Sequence, residues 1–122
     1  MGSVSEKRRF ARLNILTDIT YTRSSISDKE KLSLTRNISE GGICFIAYEK
    51  LDQDEVLDVN IFIPDHKNPV AATGKVAWVS EFVIGDPSKG VRYDVGFEFL
   101  KIADNDRKEL DKCVVNNLPA HA

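Results

Sequence analysis

From residue 13 to residue 100, apolar and polar side chains alternate at period two in short runs, and each run stops at a cluster of Gly, Pro, Asn, Asp or Ser. That pattern confines the chain to β-structure, because only a strand sends successive side chains to opposite faces. The first run sets Leu13, Ile15, Thr17, Ile19 and Tyr21 against Asn14, Asp18, Thr20 and Thr22. A Ser-rich turn at 24–28 leads to Lys31–Arg36, where Leu32 and Leu34 alternate as in a half-buried strand, so the two runs read as a hairpin. After Gly41-Gly42 come Ile43–Tyr48 and then Val56–Ile63, with Leu57, Val59, Ile61 and Ile63 on one face. A turn at Pro64–Pro69 precedes Ala71–Phe82, and residues 85–90 join that run to Val91–Leu100. Val76, Trp78, Phe97 and Phe99 fit the apolar phase of these last runs, which predicts core positions with no ligand role.

Six strands at short spacing with no helix between them indicate an antiparallel sandwich or a closed barrel, and the barrel is preferred because it exposes no edge. The final segment changes period: Leu110, Cys113, Val114 and Leu118 fall three or four apart, and Asp104 or Asp106 can cap a helix start, which predicts a helix over about 104–118. At 122 residues the chain has room for one domain, and 42% apolar residues can supply its core. The expected fold is therefore all-β in the main: a six-stranded antiparallel β-barrel over residues 13–122 with one C-terminal α-helix. Ahead of it, residues 1–12 read as a flexible basic arm, too poor in apolar side chains to offset about 1–2 kcal/mol of backbone entropy per ordered residue.

Charge separates the two parts. Residues 1–12 carry Lys7, Arg8, Arg9 and Arg12 against Glu6 alone, a charge of +3, which leaves −5 on the body of a chain whose net charge is −2. An acidic body counts against a nucleic-acid polymer as partner. No apolar run approaches the roughly 18–20 residues that cross a bilayer, so membrane insertion is not expected. The N-terminus has no hydrophobic signal region, which predicts a cytoplasmic protein. Cys44 and Cys113 sit among apolar neighbours as small hydrophobes.

Catalytic chemistry is scarce. Histidine, the commonest proton shuttle near neutral pH, occurs only at His66 and His121, neither inside a motif. No zinc-ligand spacing, nucleophile elbow or phosphate loop is present, so neither an enzyme nor a cofactor is expected.

Two stretches go beyond what folding requires. In Arg8-Arg9-Phe10-Ala11-Arg12 the outer arginines stand four apart, and guanidinium groups can fork onto phosphate, read guanine O6 and N7, and stack on a base. Taken alone, the cluster reads as a solvated tail. In Asn37-Ile38-Ser39-Glu40-Gly41-Gly42, at the junction of two strands, Asn37 and Ser39 offer an amide and a hydroxyl two residues apart. Glycine at 41 and 42 permits positive φ and close approach of a flat ligand. Taken alone, this stretch reads as an ordinary turn.

In this order, an Arg-x-x-x-Arg arm followed one hairpin later by Asn-x-Ser-x-x-Gly resembles the PilZ domain family, as do Gly74-Lys75-Val76-Ala77-Trp78 and Val95-Gly96-Phe97-Glu98-Phe99 further on. The resemblance implies a bacterial second-messenger receptor for cyclic di-GMP, with an arm that orders over the ligand and alters binding of an effector protein. Position by position it implies that Arg8 and Arg12 hold phosphate and guanine, that Arg9 adds a stacking or phosphate contact, that Asn37 and Ser39 bond guanine, and that Gly41 and Gly42 keep the face clear. Asn37 stands where the family more often has Asp, and an amide has one oxygen acceptor where a carboxylate has two. The alternative is a barrel of the same fold that binds protein and no nucleotide; retention of Arg8, Arg12, Asn37, Ser39 and Gly42 argues against it.

Overall fold

The computed structural model describes residues 12–13, 16–24, 26–27, 29–39, 41–64, 66–83, 86, 88 and 90–116. Its strands are β1 (Arg12–Leu13), β2 (Asp18–Thr22), β3 (Glu30–Ser39), β4 (Gly42–Ala47), β5 (Val56–Ile61), β6 (Val70–Phe82) and β7 (Arg92–Ile102), followed by helix α1 (Asp104–Asn116). Strand β3 pairs with β2, β2 with β5, β5 with β6, β6 with β7, β7 with β4, and β4 returns to β3, all antiparallel. This is the expected six-stranded closed barrel with one C-terminal helix. Residues 117–118, the expected end of that helix, lie outside the described residues.

The strand expected over residues 13–22 is divided. β1 pairs with β3 through Arg12↔Ser39 and Leu13↔Ile38, and β2 resumes at Asp18↔Leu34, so five residues of the first segment run against four of its partner. Thr17 secures the break: its N–H donates to Thr35 Oγ1 at 3.1 Å and its hydroxyl to the Phe62 carbonyl at 2.5 Å.

The phase of β3 reverses the expectation. Leu32 is 68% exposed and Leu34 half-buried, whereas Ser33 and Thr35 face the interior. The hairpin register sets this outcome, placing Ser33 beside buried Ile19 and Leu32 beside Thr20 on the outer face. The inward hydroxyls are satisfied, Ser33 donating to the Ile46 carbonyl and Thr35 accepting from Thr17, so their burial costs little.

Ile19, Leu57, Ile61, Val76 and Val95 fill the barrel. Phe45 stacks obliquely on Tyr21, ring centroids 5.3 Å apart, and meets Phe97 edge to face at 6.3 Å. Helix α1 packs against β6 and β3 and adds Leu110, Cys113 and Val114 to the core, while Asp104 and Asp106 favour the positive end of its dipole. At the end of β2, Arg23 bonds Glu55 through Nε at 2.6 Å and Nη2 at 2.8 Å, and Glu49 through Nη1 at 3.1 Å. The Tyr21 hydroxyl also donates to Glu49, at 2.8 Å. Burial opposes the charge on both carboxyls, yet hydrogen bonds hold them below the usual range: Tyr21, Lys31 and Arg23 act on Glu49, and Arg23 acts on Glu55.

Candidate functional site

Asn37 and Ser39 stand on the last residues of β3 and not in a turn. Strict alternation from buried Thr35 would send Asn37 into the core. A one-residue bulge at Arg36 shifts the register between Thr35 and Asn37, so that Ile38 turns inward and its two neighbours face out. Arg36 leaves across the outer surface, its Nε 2.7 Å from Asp94 and its guanidinium over the Phe82 ring. The Ser39 hydroxyl accepts the N–H groups of Gly41 at 3.3 Å and Gly42 at 3.2 Å and donates to the Gly42 carbonyl at 3.2 Å, tying the reversal into β4.

The same device recurs on β6. Val76 pairs with Phe97 and Trp78 with Gly96, which leaves Ala77 as the extra residue and turns the indole outward. Trp78 is 48% exposed, so its expected core position is corrected, whereas Val76, Phe97 and Phe99 are buried as expected. The indole lies flat on Gly96: any Cβ there would collide with its Nε1 and Cε2 atoms.

Between these residues runs a cleft of about 180 Å3, lined by Asn37, Ser39, Gly41 and Gly42 on one side and by Trp78 and Glu98 on the other. Its floor is backbone. Cys44 pairs with Asn37 on one side and Gly96 on the other, and Gly42 pairs with Glu98. Gly42 is required because strands β4 and β7 approach too closely for a side chain. A Cβ would strike the Phe97 carbonyl oxygen and come within 3.3 Å of Glu98 Cα. Positive φ, the other use expected of glycine here, is not what Gly42 supplies.

The structure thus brings Asn37, Ser39, Gly41 and Gly42 together, and the Arg12 backbone pairs with Ser39 at the cleft's edge. Arg8 and Arg9 lie outside the described residues. Sequence reasoning missed Trp78 and Glu98; the available signal was the pair of strand glycines, Gly42 and Gly96, which mark close approach on one outer face. Among the described residues no three His, Cys, Asp or Glu side chains converge to hold a metal, and no helix is long and apolar enough to cross a membrane. The arrangement suits a flat heteroaromatic ring: backbone floor, indole face, and amide, hydroxyl and carboxylate groups around its edge.

The family model described as PilZ domain matches residues 6–116. The PilZ domain of YcgR from Escherichia coli, solved with c-di-GMP, is 12% identical and aligns over 90% of each chain with a TM-score of 0.69. The Bacillus subtilis inhibitor of motility is 23% identical, with a TM-score of 0.70 over 90% of this chain and 50% of that one. The Borreliella burgdorferi PlzA protein, in complex with c-di-GMP, is 14% identical, with a TM-score of 0.62 over 97% of this chain and 57% of its own. The chain therefore spans about half the length of the Bacillus and Borreliella proteins. No curated protein sequence matches it.

Proposed function

The chain belongs to the PilZ domain family, and from that premise we propose that it is a cyclic di-GMP receptor with no catalytic activity of its own. The observation that carries this reading is the cleft between Asn37 and Trp78, whose floor is cleared by Gly42 and whose edge meets the backbone of Arg12. A guanine base would lie over the Gly42 side of the floor and against the exposed face of the Trp78 indole, which itself covers Gly96; such stacking is worth about 1–3 kcal/mol per base. Asn37 would bond the base edge, Ser39 would hold the glycine turn in place beside it, and Gly41 would leave the entrance open. The guanidinium groups of Arg8, Arg9 and Arg12 would take the two phosphates and the second guanine, since a fork of N–H donors matches phosphate oxygens. Solved structures of YcgR and PlzA with c-di-GMP support the choice of ligand.

Signalling follows from the arm. Arg12 already pairs with Ser39 through β1; the arm ahead of it would order as its arginines engage ligand, and the barrel with its closed arm would offer an effector protein in the cytoplasm a surface different from that of the free form. A calorimetric titration with cyclic di-GMP beside one with single-stranded RNA tests this reading: saturable binding of the dinucleotide alone supports it. Binding of neither ligand would favour a protein-interaction barrel.

A further inference from the structure

Among the described residues the cleft holds one carboxylate, that of Glu98 on the outer face of β7. Its cross-strand partners are Gly42 on β4 and Lys75 on β6. Gly42 has no side chain, so nothing from β4 stands between Glu98 and the cleft. Lys75 Nζ is 4.0 Å from Glu98 Oε1, and the Glu98 side chain is 57% exposed, a loose pairing that leaves the carboxylate's lone pairs available. Asn37 stands two strands and two residues away on the opposite wall, about 12 Å between backbones at ordinary strand spacing. The two side chains can narrow that gap toward the width of a purine.

Hydrogen-bond chemistry divides the base edge between these walls. Guanine presents an acceptor, O6, beside two parallel donors, N1–H and N2–H. A primary amide has a single oxygen acceptor and brings an NH2 group that suits O6, whereas a carboxylate accepts two donors at once. Asn37 could meet both donors only by sharing its one oxygen between them, whereas a carboxylate offers each donor an oxygen of its own. Resting on the reading of this cleft as a cyclic di-GMP site, we propose that Glu98 is the guanine-specifying residue, accepting N1–H and N2–H while Asn37 donates to O6.

The test compares cyclic di-GMP with its inosine analogue cyclic di-IMP, which keeps O6 and N1–H and lacks the N2 amine, in titrations of the wild type and of Glu98→Gln. Wild type should prefer the guanine ligand by roughly fivefold to a hundredfold, the range of a good bidentate contact. Glu98→Gln should bring the two affinities close together by weakening the guanine ligand, with an unchanged Tm because the side chain is solvent-exposed. The sign separates this from simple charge: removing a negative charge should strengthen both dianionic ligands alike. Equal or tighter binding of both ligands to Glu98→Gln, at the wild-type preference, would overturn the assignment. A wild type that binds neither ligand would overturn the receptor reading and Glu98's role with it, whereas a binding wild type with an unaffected variant removes only Glu98.

Discussion

Asn37 on β3 and Trp78 on β6 face each other across one cleft, and each is turned away from the barrel core by a single extra residue, Arg36 in one strand and Ala77 in the other. Without these bulges both side chains would continue the inward phase of Thr35 and Val76. The outer surface therefore acquires an amide and an indole at the expense of two irregular ladder positions, as bulges beside functional sites commonly do.

Removing the indole should separate ligand binding from folding. Trp78→Ala is expected to weaken cyclic di-GMP by about 1–3 kcal/mol, the worth of one stacked base, while the free protein loses about 1–2 kcal/mol, since half of the ring is already exposed. Calorimetry and thermal melting measure the two effects. Unchanged affinity would remove Trp78 from the site.

Gly42→Ala should damage the scaffold itself. The added methyl group meets the Phe97 carbonyl oxygen, a backbone atom that can move only if β4 and β7 part. Overpacking of this kind costs about 1–3 kcal/mol, so Tm should fall even without ligand. An unshifted Tm would mean that the two strands separate freely.

Stability should depend on acid through the Arg23 cluster. Glu49 and Glu55 have folded-state values below their ordinary ones, so the unfolded chain binds more protons in acid. Their contribution is complete above the unfolded value of about 4.3 and is lost as pH falls through the lower folded values. Tyr21 works at the other end: burial and its bond to Glu49 raise the phenol, so that contribution is present below about pH 10 and lost above it. Arg23→Ala leaves Glu55, with a side chain 6% exposed, without its partner and should cost about 3–5 kcal/mol near neutral pH. Its melting curve should also depend less on acid. A variant with wild-type Tm at neutral pH would contradict this account.

Arg12→Ala should do the reverse of Gly42→Ala. Pairing of β1 with Ser39 is a backbone matter, so free-protein stability should move by no more than about 0.5 kcal/mol. Loss of a forked, charge-assisted contact should cost about 2–5 kcal/mol of binding, and wild-type affinity should fall as salt rises. A large loss of Tm with intact affinity would make the arginine a structural strap.

Strand number, hairpin order, barrel closure and the helix start at Asp104 were legible because they follow from apolar periodicity and turn residues. The position of Asn37, Ser39 and Gly42 beside one another was legible because they are neighbours in sequence. Period-two counting is blind to bulges, and for that reason Trp78, in step with Val76, read as core; Asn37 and Ser39 read as turn residues because Asn, Ser and Gly favour turns, although the bulge at Arg36 keeps them on β3. It also weighs apolarity above register. Leu32 and Leu34 face outward because pairing with β2 and the bonds of Ser33 and Thr35 fix the strand's phase, and those bonds join residues distant in sequence. Glu98 enters the cleft only through pairing with Gly42, a contact no local pattern announces.

The chain has one tryptophan, and it lines the cleft, so intrinsic fluorescence reports on the site directly. Titration with cyclic di-GMP, excited at the red edge of the indole band to limit guanine absorption, should give a saturable change in Trp78 emission with the same midpoint as calorimetric binding. Arg12→Ala should shift that midpoint to higher concentration without altering the unliganded spectrum. Calorimetric binding with no change in Trp78 emission would place the ligand elsewhere on the barrel and contradict the account.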